Sequence, residues 1–136
     1  MKLNIPTSKG NYSYRFVPIY PGIKPINKER AKENLSLLKN ICNTHNLEFI
    51  LFFGTLLGAV REHDFISHDE DIDIVLPITD LERFKDILFI LRENGFEVVR
   101  FERRGFMSIM RKGEYIDIYF FTPYAKDRRL ATCICE

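Results

Sequence analysis

The chain has 136 residues, of which 46% are hydrophobic and 29% charged, a composition typical of a soluble globular domain and not of a disordered, collagen-like or membrane-embedded chain. A formal net charge of +1 gives no overall basic field, so nucleic acid is not an expected partner. No apolar run approaches the roughly 20 residues that span a bilayer. We therefore predict a cytoplasmic protein without a membrane span, free or peripheral at the inner face of the membrane.

The length suits one domain. Residues 1–26 combine several prolines and glycines with aromatic residues, a mixture that interrupts regular structure but can pack as an ordered arm. We interpret them as a lead-in arm, followed by a single domain over residues 27–136. The three cysteines form neither an even disulfide framework nor a paired zinc pattern, which favours a reducing compartment.

Two helices are predicted from apolar residues at helical spacing. The first begins after Asn27, which is suited to the N-cap, and ends near His45-Asn46. The second begins at Thr79–Glu82, which matches a capping box. Asn94-Gly95 supplies its C-terminal stop.

Five strands are predicted. Leu47–Phe53 is a short apolar run that indicates a buried strand, and Asp71–Leu76 alternates acidic with aliphatic residues. Three further segments are separated by short turns and indicate an antiparallel meander: Phe96–Glu102, Gly105–Arg111 and Glu114–Phe121. Helices and strands together predict an α/β or α+β fold.

Acidic residues within two of these strands are the main candidates for chemistry. Asp71 and Asp73 lie on one face of their strand, about 7 Å apart. Asp117 stands within an apolar strand, on the face opposite Ile116 and Ile118. Acidic runs are usually only solvated, but acids that interrupt strands favour a site for Mg²⁺ or Mn²⁺ bound together with substrate phosphates. Phosphoryl transfer is the chemistry that such a site supports.

Phosphate binding is predicted near the turn that follows the first strand. Gly54-Thr55 is a small-residue turn whose backbone N–H groups are able to approach an anion. Arg61 lies between this turn and the acids, and its guanidinium would fit a substrate phosphate, although a helix-end charge is an equal alternative.

Other polar and aromatic residues are weaker candidates. His63 and His68 lack the partners of a zinc site, and we interpret them as polar loop residues. Tyr115, Tyr119 and Phe53 are of a type that stacks on a nucleobase, but strand aromatics more often belong to the core.

The segment FGTLLGAVREHDFISHDEDIDI resembles the signature of the LicD family, which includes phosphocholine transferases and fukutin-type alditol-phosphate transferases. The similarity runs from the helix NLSLLKNICNTHNLEFI through Gly54-Thr55 and Arg61 to Asp71 and Asp73, with Asp117 at the later strand position. It is most specific over residues 35–76.

The resemblance implies a nucleotidyltransferase-like mixed sheet flanked by helices, with a C-terminal meander. It also implies catalytic and metal-binding roles for Asp71, Asp73 and Asp117, and a donor phosphate near Gly54, Thr55 and Arg61. The donor would be a CDP-linked alcohol, such as CDP-choline, CDP-glycerol or CDP-ribitol. The acceptor would be a hydroxyl of a precursor of lipopolysaccharide, capsule or teichoic acid. Asp117 is either the base for this hydroxyl or a metal ligand only.

Two alternatives stay open at this point. The chain is also of a size for a small nucleotidyltransferase that transfers a nucleoside monophosphate from an NTP. A non-catalytic nucleotide-binding module is the other alternative, although the acids argue against it.

Overall fold

A computed structural model describes residues 2–18, 26–52, 71–123 and 131–133. In chain order, the elements are β1 (Lys2–Thr7), β2 (Gly10–Arg15), α1 (Lys28–Thr44), β3 (Ile50–Leu51), β4 (Asp71–Pro77), a 3-10 turn (Ile78–Asp80), α2 (Leu81–Asp86), α3 (Leu88–Glu93), β5 (Glu97–Glu102), β6 (Phe106–Arg111), β7 (Glu114–Pro123) and β8 (Ala131–Cys133). None of the helices in these ranges is long and apolar enough to cross a membrane.

Helix α1 has the predicted bounds. The Asn27 side chain accepts a hydrogen bond from the Arg30 backbone N–H at 3.1 Å, which satisfies one of the unpaired donors of the first turn. The helix ends at Thr44 with His45 as its C-cap, and the next residue, Asn46, has a φ of 58°. This left-handed conformation is common where a helix stops, and asparagine tolerates it.

The second predicted helix is in fact two short ones. Its apolar face is buried as predicted, but the predicted capping box is wrong, because neither the 3-10 turn nor α2 has a side-chain cap. Asp80 instead forms an ion pair with Arg83 at 3.3 Å. The helix is interrupted at Ile87, whose ψ of 2° leaves the helical range.

The strands form a mixed sheet in the order β3-β4-β7-β6-β5, and β8 pairs with the end of β7. Strands β4 and β7 are parallel, whereas β5, β6 and β7 form the predicted antiparallel meander. Lys112 and Gly113 both have positive φ in the turn between β6 and β7, as a tight hairpin requires.

One face of this sheet, which we call the helix face, packs against the helices. Alternate residues of β4 and β7 on this face are at most 1% exposed: Ile72, Ile74, Leu76, Ile116, Ile118 and Phe120. Phe120 meets Phe84 of α2 edge to face at 5.7 Å between ring centroids. The predicted alternation is therefore confirmed, and Asp73 and Asp117 occupy the opposite face, which we call the acid face.

Strand β3 is shorter than predicted and is not buried throughout. Ile50 is 63% exposed, whereas Leu47, which precedes the strand, is 1% exposed. The strand pairs only with Val75 and Ile74 of β4 and lies at the sheet edge, so one side of its backbone has no neighbouring strand in the described sheet.

The N-terminal arm is an antiparallel hairpin of β1 and β2. Its register pairs Lys2 with Arg15 at the open end and Thr7 with Gly10 at the turn. It packs on the sheet through Tyr12, which is 1% exposed and donates a 2.9 Å hydrogen bond to Glu97. The Arg92 guanidinium lies 3.9 Å from the centre of the Tyr12 ring. The hairpin is thus part of the folded core.

Candidate active site

The sheet register brings two of the predicted acids together. Asp73 of β4 lies directly opposite Asp117 of β7 in the parallel pair, and both are half-buried on the acid face. Neighbouring strands lie about 4.8 Å apart, and like charges at such positions repel. A bound cation would offset this repulsion.

Asp71 is the first residue of β4, in register with Tyr115. Its side chain lies outside the described part of the structure. Asp71 is therefore the third predicted carboxylate, and it lies in the same strand as Asp73, two residues before it.

A third polar residue, which the sequence did not indicate, lies beside this pair of opposed acids and forms a row with them. Ser108 of β6 lies opposite Asp117 on its other side, is fully buried, and donates a hydrogen bond from its hydroxyl to Asp117 Oδ1 at 2.6 Å. Its signal was slight, a single hydroxyl residue in the apolar segment FMSIM. The bond restricts the rotation of the Asp117 carboxylate and engages one of its two oxygens, Oδ1.

The carboxylates of Asp73 and Asp117 fit a divalent cation in type, because Mg²⁺ and Mn²⁺ prefer oxygen ligands. Among the side chains that the structure describes, no group of three or more His, Cys, Asp or Glu residues is arranged to hold a metal. Two of the three predicted ligands are therefore placed together, and the third ligand would have to come from outside the described side chains.

The predicted donor-phosphate residues Gly54, Thr55 and Arg61 lie outside the described residues, as do His63 and His68. The chain is described up to Phe52, whose backbone N–H donates to the Asp73 carbonyl at 2.9 Å. The segment that holds the predicted turn therefore begins next to Asp73.

Aromatic rings adjoin the acids on the same face. Tyr119, two residues after Asp117, packs at 5.0 Å from Phe106 and 5.7 Å from Phe52, measured between ring centroids. Phe121 lies 4.9 Å from Phe52. The interpretation of Tyr119 as a packing residue agrees with these contacts.

Cys42 is not suited to act as a nucleophile. It is buried in α1, and burial raises the pKa of its thiol to about 12, so the reactive thiolate is scarce at neutral pH.

Comparison with known proteins assigns the chain to a family. Residues 46–133 match the family model described as LicD/FKTN/FKRP, nucleotidyltransferase domain. This match spans most of the chain and includes β4 and β7 with Asp73 and Asp117. The chain belongs to the LicD family. LicD membership agrees with the resemblance found in the sequence.

Two curated relatives of this LicD-family chain match over shorter stretches. The lipopolysaccharide cholinephosphotransferase LicD of Haemophilus influenzae is 37% identical over 49 residues, which are 36% of this chain and 18% of that protein. The uncharacterized protein RT0683 of Rickettsia typhi is 34% identical over 73 residues, 49% of this chain and 24% of that protein. The matched stretches thus cover less than a quarter of either relative.

The fold also has a solved counterpart. The crystal structure of ANT(2")-Ia in complex with adenylyl-2"-tobramycin superposes with a TM-score of 0.56 at 18% identity, over 77% of this chain and 55% of that one. The predicted α+β class with a nucleotidyltransferase-like mixed sheet is confirmed for this member of the LicD family.

Proposed function

We propose that this protein is a metal-dependent transferase that moves a phospho-alcohol, such as phosphocholine, from a CDP-linked donor to a hydroxyl of a cell-surface glycan precursor. The observation that carries the proposal is the register of Asp73 with Asp117 in a sheet of the LicD family. The relative from Haemophilus influenzae, a lipopolysaccharide cholinephosphotransferase, supports the choice of substrates.

We assign Asp73 and Asp117, together with Asp71, to the binding of Mg²⁺ or Mn²⁺. Such a cation, when bound, neutralises negative charge on the transferring phosphate. The donor phosphates are assigned to Gly54, Thr55 and Arg61. The last described residue before them, Phe52, donates its backbone N–H to the Asp73 carbonyl, which supports this assignment for Gly54 and Thr55.

The transfer forms one P–O bond and breaks another, and the proton of the glycan hydroxyl passes to a base or to the departing CMP. The oxygen of the glycan hydroxyl attacks the phosphorus that carries the alcohol, the bond from this phosphorus to CMP breaks, and CMP leaves with the electron pair. Asp117 Oδ1 already accepts the hydrogen bond from Ser108. We therefore assign Oδ2 either as the acceptor of the proton from the glycan hydroxyl or as a ligand of the cation. Holding Asp117 in one orientation before the reaction reduces the cost of positioning in the transition state.

The function is tested by titrating the purified chain with CDP-choline, CDP-glycerol, CDP-ribitol, a UDP-sugar and ATP. Each titration is run by calorimetry with Mg²⁺ and again with a chelator. Metal-dependent binding of one CDP-alcohol is expected, followed by CMP release once an acceptor is supplied. Binding of ATP alone, with release of pyrophosphate, would instead establish a nucleotidyltransferase.

Matched variants identify the residues responsible. Asp73→Asn and Asp117→Asn should abolish metal-dependent donor binding while the thermal unfolding transition persists. Asp80→Asn makes the same chemical change at the ion pair with Arg83, away from the acid face, and should bind donor as the wild type does. Equal donor binding by Asp117→Asn and Asp80→Asn would contradict the proposal.

A further inference from the structure

The row of polar residues on the acid face continues beyond Ser108. Arg100 of β5 lies opposite Ser108, just past an irregularity in the pairing of β5 with β6. Asp73, Asp117, Ser108 and Arg100 therefore follow one another across four neighbouring strands. Because directly opposed residues point to the same side of a sheet, the row ends in a cation on the acid face.

The Arg100 guanidinium is held above this face by an aromatic ring. It lies 4.7 Å from the centre of the Phe106 ring, and Phe106 is in register with Tyr119, two residues beyond Asp117. Cation–π contact of this kind orients a guanidinium and leaves the N–H donors at its edge for other partners.

The acidic neighbour of Arg100 does not neutralise it fully. The Glu102 carboxylate forms two ion pairs, from Oε2 to Arg100 Nη2 at 3.7 Å and from Oε1 to Arg104 Nη2 at 3.9 Å. The Arg100 side chain is 41% exposed. Exposed ion pairs at such distances contribute little. Residues 100–104 contain three arginines against one glutamate, so this end of the row carries a local positive charge.

Arg100 and β3 lie at opposite ends of the strand order. The donor residues Gly54 and Thr55 follow β3 in the chain, and β3 pairs with β4 at one edge of the sheet. Strand β5 lies at the other end of the strand order, beyond Asp117 and Ser108. A substrate that approached Asp117 from the side of β5 would be the acceptor.

We propose that Arg100 binds an anionic group, a phosphate or carboxylate, of the glycan acceptor, so that the acceptor of this enzyme is an acidic glycan. The inference rests on the proposed transferase function, because that function supplies the glycan acceptor. Arg100 is a binding residue in this scheme and takes no part in the bond changes.

The test compares charged and neutral probes on the full chain without donor or metal. Glucose 6-phosphate and glycerol 3-phosphate are titrated against glucose and glycerol, with binding followed by NMR chemical shifts. Wild-type protein should bind each phosphorylated probe at least about 10-fold more tightly than its neutral counterpart, since a guanidinium pairs strongly with phosphate. Amide shifts should move at Phe106 and Ser108.

Three variants decide the assignment. Arg100→Gln should remove the preference for the phosphorylated probes, and Arg100→Lys, which keeps the charge, should retain part of it. Arg15→Gln removes the same charge from the N-terminal hairpin, outside the sheet that carries the row, and should retain all of it.

Other results would overturn the inference. These are an equal preference in Arg100→Gln and wild type, no preference in the wild type, or an Arg100→Gln variant that loses affinity for a CDP-alcohol while phosphorylated probes bind unchanged. Donor binding and CMP release are measured separately, so a failure of the transferase function is distinguishable from a failure of this inference.

Discussion

The Ser108 hydroxyl donates a 2.6 Å hydrogen bond to Asp117 Oδ1 from a fully buried position on the neighbouring strand. Ser108 is held in place on both sides by the pairing of β6 with β5 and β7. The bond therefore restricts the motion of a half-buried carboxylate, that of Asp117, which we assign to catalysis. Losing a group that orients a metal ligand lowers metal affinity or activity even though the ligand itself is retained.

Ser108→Ala should lower CMP release by about 10–100-fold, the usual effect of losing a residue that orients a ligand or base. Its free energy of unfolding should fall by about 1.5–3 kcal/mol, the contribution of one hydrogen bond to a charged group. Steady-state kinetics and urea unfolding measure the two quantities. Ser108→Thr, which keeps the hydroxyl on a β-branched side chain suited to a strand, should recover part of the activity.

The control for Ser108→Ala is Ser13→Ala. Ser13 also donates a 2.6 Å bond across a strand pair, to Asn4, but it lies in the N-terminal hairpin. Its removal should leave CMP release unchanged. Ser108→Ala should lower the free energy of unfolding less in an Asp117→Ala background than in wild type, and an equal loss in both would show that Ser108 does not act through Asp117.

The acid face was predictable from sequence because strands alternate with a period of two. Aliphatic residues on one side of Asp73 and Asp117 fixed which face was buried, and two acids within apolar strands had no structural reason to be there. Their direct opposition was not predictable, because it depends on parallel pairing between strands that are distant in the chain. Ser108 was missed for the same reason, since its role exists only in the register of β6 with β7.

Local irregularities account for the remaining differences. The periodicity of the second helix continued through Ile87, so the pattern carried no sign of the break there. In the N-terminal hairpin, Pro6 is compatible with an edge strand but discouraged a strand prediction. Tyr12 and Tyr14 are both buried and alternate along β2, a pattern that we did not interpret as a strand.

Divalent cations should stabilise the folded chain through Asp117. A ligand that binds only the folded state adds about 2.7 kcal/mol at a concentration 100 times its dissociation constant. Thermal unfolding in Mn²⁺ and in chelator should therefore give a higher midpoint with the metal for wild type and for Asp80→Asn. Asp117→Asn should show no such shift, and a shift equal to that of wild type would remove Asp117 from the predicted metal site.

Tyr12→Phe should destabilise the fold by about 1–3 kcal/mol, because the Tyr12 hydroxyl donates to Glu97 and accepts from the Val98 N–H at 3.3 Å. Phenylalanine keeps the ring under the Arg92 guanidinium, whereas Tyr12→Leu removes the ring as well and should cost more. Urea unfolding measures both losses. Equal stability of Tyr12→Phe and wild type would show that these bonds do not tie the hairpin to the sheet.

The pH dependence of stability should include a contribution from Glu33 on α1. Its side chain accepts hydrogen bonds from Lys112 at 2.8 Å and Arg111 at 2.7 Å, which lower the pKa of its carboxyl from 4.5 to about 2. A carboxyl with a depressed pKa in the folded state stabilises the protein above its unfolded pKa, and this stabilisation is lost as pH falls through the folded value. Glu33→Gln should therefore unfold at a lower temperature than wild type at pH 7, and the two midpoints should converge between about pH 4.5 and pH 2. Glu29→Gln, in the first turn of the same helix, is the control and should not reproduce this convergence; a difference for Glu33→Gln that stays constant down to pH 2 would contradict the assignment.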